Sequence, residues 1–448
     1  MSVSDSLGKE SLGKLLFRLT VPSILAQLVS LLYNIIDRIY IAHIPLYGSL
    51  AIAGLGITVP LISGITAFGN LVGMGGSPIA AIELGKNDIQ KSEEILWNSF
   101  VMLLFFAITL TIGTLVFLKP LLLLFGATEE ILPYAFRYTR IINLGNIFSM
   151  TTIALYAFLS TQGFNKQNMI YTGIGAVINI ILDPIFIFIL RLGIEGAAFA
   201  TVISQVVSAV LILKFLFGKK TKIRLKPQKI ILKIQKRVFM LGSVTFFMMF
   251  TESIINALFN HQLNYYGNSY YIALYSIFFT ITQVVMTPIY GVNQGFQPIV
   301  SYNYGAKNYD RLGKAMKYGI LLSFSVSTFT TAVIVLFPKF FVGIFTKDPE
   351  ILEIASLNLR LFVFGRFANG AHWAIQTVFR ALGNTVYPFV VMSIRKIILI
   401  GPLVFIIPAL THTGVKGVFL AESISDVLAA ICALLLFVNF YKKKLKLY

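Results

Sequence analysis

Charge is what this sequence has least of. Only 12% of its 448 residues are Asp, Glu, Lys or Arg, about half the share usual in a soluble domain. A soluble chain of this length divides into about two or three domains, each needing a charged surface, and so few ionisable residues cannot cover them. Apolar residues make up 57% of the chain and mean hydropathy is +0.81, so lipid must solvate most of the surface. Cysteine is nearly missing as well. Cys432 stands alone in an apolar run, which excludes an internal disulfide framework and reads as ordinary packing. The four histidines, His43, His261, His372 and His412, are scattered without metal-ligand spacing. Acidic residues are outnumbered by basic ones, giving a net charge of +19. The basic residues sit mainly between apolar segments, which argues against a nucleic-acid partner.

What is present is a series of long apolar segments. A spanning helix needs about 20 apolar residues. Breaks at Gly, Pro and charge clusters predict spans at 15–42, 50–76, 94–118, 133–160, 168–190, 195–217, 238–261, 271–300, 315–338, 351–379, 386–409 and 414–440. The first is too long for the apolar core of a signal peptide and is expected to remain as a span. Lys and Arg mark cytoplasmic loops. One set of loops holds Lys86, Lys91, Lys166, Lys307 and Arg311, the run Lys214–Arg237, and the tail Lys442, Lys443, Lys444 and Lys446. The other set has little beyond Lys119, Arg191, Lys339 and Lys347. Both termini are therefore expected in the cytoplasm, with the basic loops drawn to anionic lipid heads.

The chain repeats itself. At an offset of 220 positions Gly75 meets Gly295, Pro78 meets Pro298, Gly85 meets Gly305, Arg140 meets Arg360, Gly145 meets Gly365, and Gly163 meets Gly383. After one extra residue Gly193 meets Gly414 and Gly196 meets Gly417. A repeat of six spans inserts both copies in one direction, so it relates them by an axis along the membrane normal. The expected fold is an all-α membrane protein of twelve helices in two six-helix lobes related by a pseudo-two-fold axis. The amino-terminal lobe covers 1–218, a basic linker 219–236, and the carboxy-terminal lobe 237–448. Two like bundles suit alternating access.

Polar residues inside the spans point to the chemistry, because charges at the bilayer centre cost at least about 2.5 kcal/mol each. Asp37 lies near the outer end of the first span. Asp183 lies about 22 Å into the fifth span and Thr201 about 9 Å into the sixth, all in the outer half of the membrane. Asn179 and Asp183 share a helix face, and Pro184 loosens the helix just beyond them. Two carboxylates enclosed together need a proton or a sodium ion to compensate them. Arg38 is a poor partner for Asp37, since adjacent helical residues point in different directions. In the second half, the depths of Arg395 and Lys396 match those of Glu422 and Asp426, which predicts a structural ion pair among them. Glu252 stands alone in an aromatic, Met-rich span. With Met248 and Met286 it forms a candidate substrate or second cation site, using ring faces and thioethers to hold flat cations.

Several stretches resemble the MATE (multidrug and toxin extrusion) family. They are Gly73-Met74-Gly75-Gly76-Ser77 with Glu83-Leu84-Gly85-Lys86, then Asn179-Ile180-Ile181-Leu182-Asp183-Pro184, and Gly193-Ile194-Glu195-Gly196-Ala197-Ala198 leading to Thr201. The resemblance spans essentially the whole chain and is closest to bacterial multidrug exporters. It implies a two-lobed antiporter of the bacterial inner membrane that exports bulky, mostly cationic compounds against inward proton or sodium flow. It implies no cofactor, a small-molecule substrate, a lipid surround and a functional monomer. It places the cation site at Asp37, Asn179, Asp183 and Thr201, and a carboxy-lobe carboxylate at Glu252. Asn369 stands where that lobe carries a second acid in some members. Arg38, Arg395 and Lys396 also depart from the family pattern and leave room for a zwitterionic or anionic substrate. The rival readings are a flippase of lipid-linked or anionic substrates and a membrane enzyme. An ATP-driven pump fails, because Leu15 replaces the Ser or Thr of a phosphate loop after Lys14. A channel would need a symmetric pore or rings of charge.

Overall fold

The structure, a computed structural model, describes residues 6–445; Lys446 of the basic tail lies outside them. Helices dominate, and no strand occurs among the described residues. Among the described residues, eleven helices are long and apolar enough to cross a membrane: Leu12–Ala42, Gly48–Gly85, Ile89–Val116, Leu132–Thr161, Asn165–Ile189, Gly193–Phe217, Leu232–Tyr266, Tyr270–Gly305, Tyr309–Leu336, Val386–Thr411 and Val415–Lys443. The expected tenth span is present but broken. It runs as Pro349–Val363, a tighter 3-10 turn over Phe364–Ala368, and Asn369–Ala381. Spans two and eight continue well past the ends expected from Gly76 and Val300. Glycine in a helix costs about 1 kcal/mol relative to alanine, and tertiary packing outweighs that here.

The packing shows why. A β-carbon on Gly73 would lie 2.9 Å from the Ala154 Cα, and one on Gly76 would lie 2.6 Å from the Phe158 ring. The second span presents glycine so that the fourth span can approach its backbone.

Two compact units divide the chain, Met1–Phe246 and Phe247–Tyr448. Within the first, the first span packs along the fifth, and the sixth packs against the fourth and fifth. The basic segment after Gly218 is not a loose tether. Thr221, Ile223 and Leu225 turn inward and are buried, while Lys226 and Lys229 are exposed. Three side chains fasten it as a strap. Gln162 accepts from the Ile223 N–H (2.9 Å) and donates to its carbonyl (3.2 Å). The Glu93 carboxylate accepts from the Arg224 N–H (3.1 Å) and the Lys226 ammonium (3.3 Å). Asn98 accepts from the Ile231 N–H (2.7 Å) and donates to the Lys229 carbonyl (3.0 Å).

Within the second unit, Phe259, Phe278, Phe362 and Phe419 form an aromatic core that also takes in Tyr275 and Met286. Gly365 admits the Ser423 backbone, where a β-carbon would meet the carbonyl oxygen at 2.0 Å.

The repeat reappears as local geometry. Asn87 and Lys307, 220 positions apart, both adopt positive φ (64° and 55°), as do Gly163 and Gly383 (84° and 72°). Asp88 and Asn308 cap the following helices through the N–H groups of Lys91 and Arg311. Gly145 faces Val202 as Gly365 faces Ser423.

Candidate functional site

The first unit brings the four residues expected at a cation site into one place. The first span supplies Asp37. The fifth supplies Asn179 and Asp183 one turn apart, and the sixth supplies Thr201. Asp37, Asn179 and Asp183 are buried and Thr201 is half-buried. Asn179 Nδ2 donates to Asp183 Oδ1 (3.2 Å) and lies 3.5 Å from Thr201 Oγ1. The Asp37 and Asp183 carboxyl groups lie close enough to act on each other electrostatically.

Local chain geometry builds this arrangement. Pro184 removes a backbone donor, and the next residues, Ile185–Ile189, form a π-turn closed by the Leu190 N–H on the Ile185 carbonyl (2.8 Å). Such wide turns recur at functional sites. Gly196 lets the sixth span rest on that turn, since a β-carbon there would lie 2.7 Å from the Phe186 carbonyl carbon. That contact carries Thr201 toward Asn179.

No ion pair among the described residues compensates the cluster, although Arg38 acts on Asp37 electrostatically. Arg38 is exposed, and no Lys or Arg forms an ion pair with Asp37 or Asp183 among the described residues. Asp37 Oδ1, Asn179 Oδ1 and Asp183 Oδ2 are buried with no hydrogen-bond partner. Buried polar atoms are nearly always satisfied, and three unpartnered oxygens beside two carboxyl groups are chemically able to receive a positive charge. Tyr33 and Tyr138 lie close enough to act on these carboxyls electrostatically. Sequence reasoning missed both: Tyr33 has the signal of lying one helical turn before Asp37, whereas Tyr138, on the fourth span, carries none.

The second unit holds a different cluster. The Arg395 guanidinium meets Asp426 Oδ1 (2.7 Å from Nε, 2.6 Å from Nη2) and Glu422 Oε1 (2.9 Å). Arg366 meets Glu422 Oε1 (2.7 Å) and Asp426 Oδ2 (3.4 Å), and Asn369 donates to the same Asp426 oxygen (3.1 Å). Arg395, one of the two bases expected to pair with Glu422 or Asp426, contacts both acids. Lys396 does not join them: its ammonium bonds Glu252 directly, so Glu252 does not stand alone as its aromatic surroundings implied. The reading missed this pair because the two residues lie 144 positions apart and only the fold aligns them. Met286 is buried in the aromatic core, while Met248 is half-buried. All three bases leave irregular turns, Arg366 from the 3-10 turn and Arg395 and Lys396 from a π-turn over Ile394–Ile400. Three cations face three anions (Glu252, Glu422 and Asp426), so this cluster is neutral in itself.

Among the described residues no group of three or more His, Cys, Asp or Glu is placed to hold a metal ion. The chain was compared with known proteins. The Multidrug export protein MepA of Staphylococcus haemolyticus is 27% identical over 429 residues, covering 95% of this chain and 93% of that protein. The protein of the same name from Staphylococcus aureus strain MSSA476 is 27% identical over 435 residues, covering 96% and 94%. Among solved structures, a MATE protein in a straight conformation superimposes with a TM-score of 0.91 at 25% identity, covering 99% of each chain. A MOP superfamily transporter from Pyrococcus furiosus shares the fold with a TM-score of 0.90 at 24% identity, covering 98% of each. Residues 22–185 and 245–406 match the MatE family, so the chain belongs to that family and is a membrane transporter rather than an enzyme.

Proposed function

We propose that this transporter is a secondary active antiporter that exports bulky cationic drugs or toxins in exchange for inward flow of protons or sodium ions. The observation that carries the proposal is the trio of unpartnered buried oxygens on Asp37, Asn179 and Asp183. A cation bound there satisfies them and offsets one of the two negative charges, neither of which is held in an ion pair among the described residues. Asp37 and Asp183 hold the ion, Asn179 orients Asp183, and Thr201 completes the cradle from the sixth span. Loading and emptying this site ties the state of the first unit to the ion gradient. The multidrug-export names of the staphylococcal relatives support the substrate class. The protein works in the bacterial plasma membrane as a monomer, with both termini in the cytoplasm, as the loop distribution of Lys and Arg favours.

Export of lipid-linked or anionic substrates draws on Arg366, Arg395 and Lys396. Each of these is engaged by a carboxylate of its own unit, which leaves no surplus positive charge to attract an anion.

The test is efflux of ethidium from proteoliposomes under an imposed proton gradient and, separately, a sodium gradient. Wild type exports under one of them, which names the ion, and Asp183→Asn at equal reconstitution loses that acceleration. Gradient-driven efflux by Asp183→Asn at the wild-type rate removes the coupling role from the first unit.

A further inference from the structure

The neutral cluster of the second unit contains one pair unlike the rest. Arg395 and Arg366 each bridge two carboxylates, and Glu422 and Asp426 are almost fully enclosed, with side chains 5% and 0% exposed. Glu252 is different: its side chain is 41% exposed, while that of its partner Lys396 is 6% exposed. The pair therefore joins an acid that is open on one side to a base reached only from within. Lys396 has this single ion-pair partner among the described residues, and its backbone lies in a π-turn, a feature frequent at functional sites. On the seventh span, Met248 and Met249 lie four and three residues before Glu252 and so share its helix face, and the rings of Tyr275 and Tyr290 lie close enough to interact with it electrostatically, with Tyr290 exposed.

We infer that Lys396 is an internal competitor for Glu252: a cationic substrate must displace its ammonium to bind the carboxylate, and the returning ammonium displaces the substrate. This rests on the proposed export of cationic compounds and adds a specificity-determining residue to it. The exchange conserves charge at Glu252, since one cation replaces another. The ammonium that leaves stays tethered and close to Glu422, which already acts on it electrostatically. A tethered competitor faces its acid at a high effective concentration, so binding is weaker than an open carboxylate among aromatic rings would give, and release is faster. A neutral compound of similar shape gains nothing from breaking the pair, which makes the device selective for cations.

The experiment measures binding of ethidium and of an uncharged dye, Nile red, to the purified full-length protein by fluorescence polarisation. The variants are Lys396→Gln, Lys396→Arg, Glu252→Gln and the double variant, each checked for a monodisperse size-exclusion profile. Removing the competitor is expected to tighten ethidium binding at least tenfold in Lys396→Gln and to leave Nile red unchanged. Lys396→Arg, which restores a cation, is expected to return binding to near the wild-type value. Glu252→Gln is expected to bind weakly, with no gain from adding Lys396→Gln, because the competitor acts only through the carboxylate. Equal or weaker ethidium binding by a monodisperse Lys396→Gln overturns the inference, as does equal tightening for Nile red. If neither wild type nor Lys396→Gln binds ethidium, the cationic-substrate reading falls and takes this inference with it. If wild type binds and the variant gains nothing, only the inference falls. Should Lys396→Gln not fold, the comparison of Glu252→Gln with Glu252→Gln/Lys396→Arg decides: any effect of the lysine change without Glu252 overturns the competitor role.

Discussion

Replacing Arg395 with methionine is the sharpest test of the charge arithmetic in the second unit. The side chain is buried and satisfies Asp426 at 2.6 Å and Glu422 at 2.9 Å. Its loss leaves Arg366 to serve two enclosed acids. Removing one partner of a buried ion pair costs about 3–5 kcal/mol, a large part of a typical total stability of about 5–15 kcal/mol. For a unit of this size each kcal/mol shifts the melting temperature by about 2–4 °C, so Arg395→Met is expected to melt about 6–20 °C lower. Removing an acid as well should restore neutrality, and the geometry says which one. Arg366 lies 2.7 Å from Glu422 and 3.4 Å from Asp426. Arg395→Met/Asp426→Asn keeps the closer pair and is expected to recover more than half of the loss. Arg395→Met/Glu422→Gln keeps the longer pair and is expected to recover less. The assay is thermal melting in detergent, followed by fluorescence-detected size exclusion. A double variant with Asp426→Asn that melts no higher than the single, or below the Glu422→Gln double, refutes the reasoning.

Two further outcomes follow from other contacts. Gly196→Ala places a methyl group against the backbone of the π-turn behind Asp183, an overpacking cost of about 1–3 kcal/mol, and is expected to shift Thr201 and lower gradient-driven efflux. Gly173→Ala on the neighbouring span meets open space and is expected to transport normally, so equal behaviour of the two variants in proteoliposomes contradicts the placement. Glu93→Gln with Asn98→Ala unfastens the strap. Hydrogen bonds to a charged group contribute about 1.5–3 kcal/mol, so trypsin cleavage after Arg224 and Lys229 is expected to quicken about 10- to 100-fold when opening limits the rate. An unchanged cleavage rate in a time course would mean that the strap is held otherwise.

Much of this was legible in the residues, for identifiable reasons. Membrane spans announce themselves by apolar length, and only the tenth resisted measurement as one helix, because Phe364–Ala368 tightens where Gly365 lets Ser423 approach. That contact joins residues 58 positions apart and has no local signature. Asp37, Asn179, Asp183 and Thr201 stood out because polar groups at membrane depth are costly and scarce. Lys396 and Glu252 were visible for the same reason, but not as partners, since nothing in helix periodicity sets the rotation of one span against another. The strap was read only by its charge. Its inward alternation of Thr221, Ile223 and Leu225 was present in the sequence, masked by the basic residues between them. The repeat also explains why the two units divide their chemistry. Its register sets Asp37 against Ala257, and Thr201 and Gln205 against Glu422 and Asp426. The scaffold was kept while the charges moved.

The exchange of glycine and phenylalanine between the copies bears on how such a chain avoids misassembly. In the first unit Gly76 faces Ser99, where an added β-carbon would lie 2.5 Å from its hydroxyl; in the second, at the same repeat positions, Phe296 faces Gly319. A duplicated bundle risks pairing a helix with its counterpart from the wrong half during synthesis, the characteristic failure of repeated domains. Here the wrong pairings do not fit. Gly76 against Gly319 loses the Ser99 contact, and Phe296 against Ser99 overfills the space that Gly319 leaves for the ring, an overpacking cost of about 1–3 kcal/mol. One reciprocal change of side-chain volume thus lets each half recognise its own helices as they emerge, so that a gene doubled in length still encodes one order of assembly.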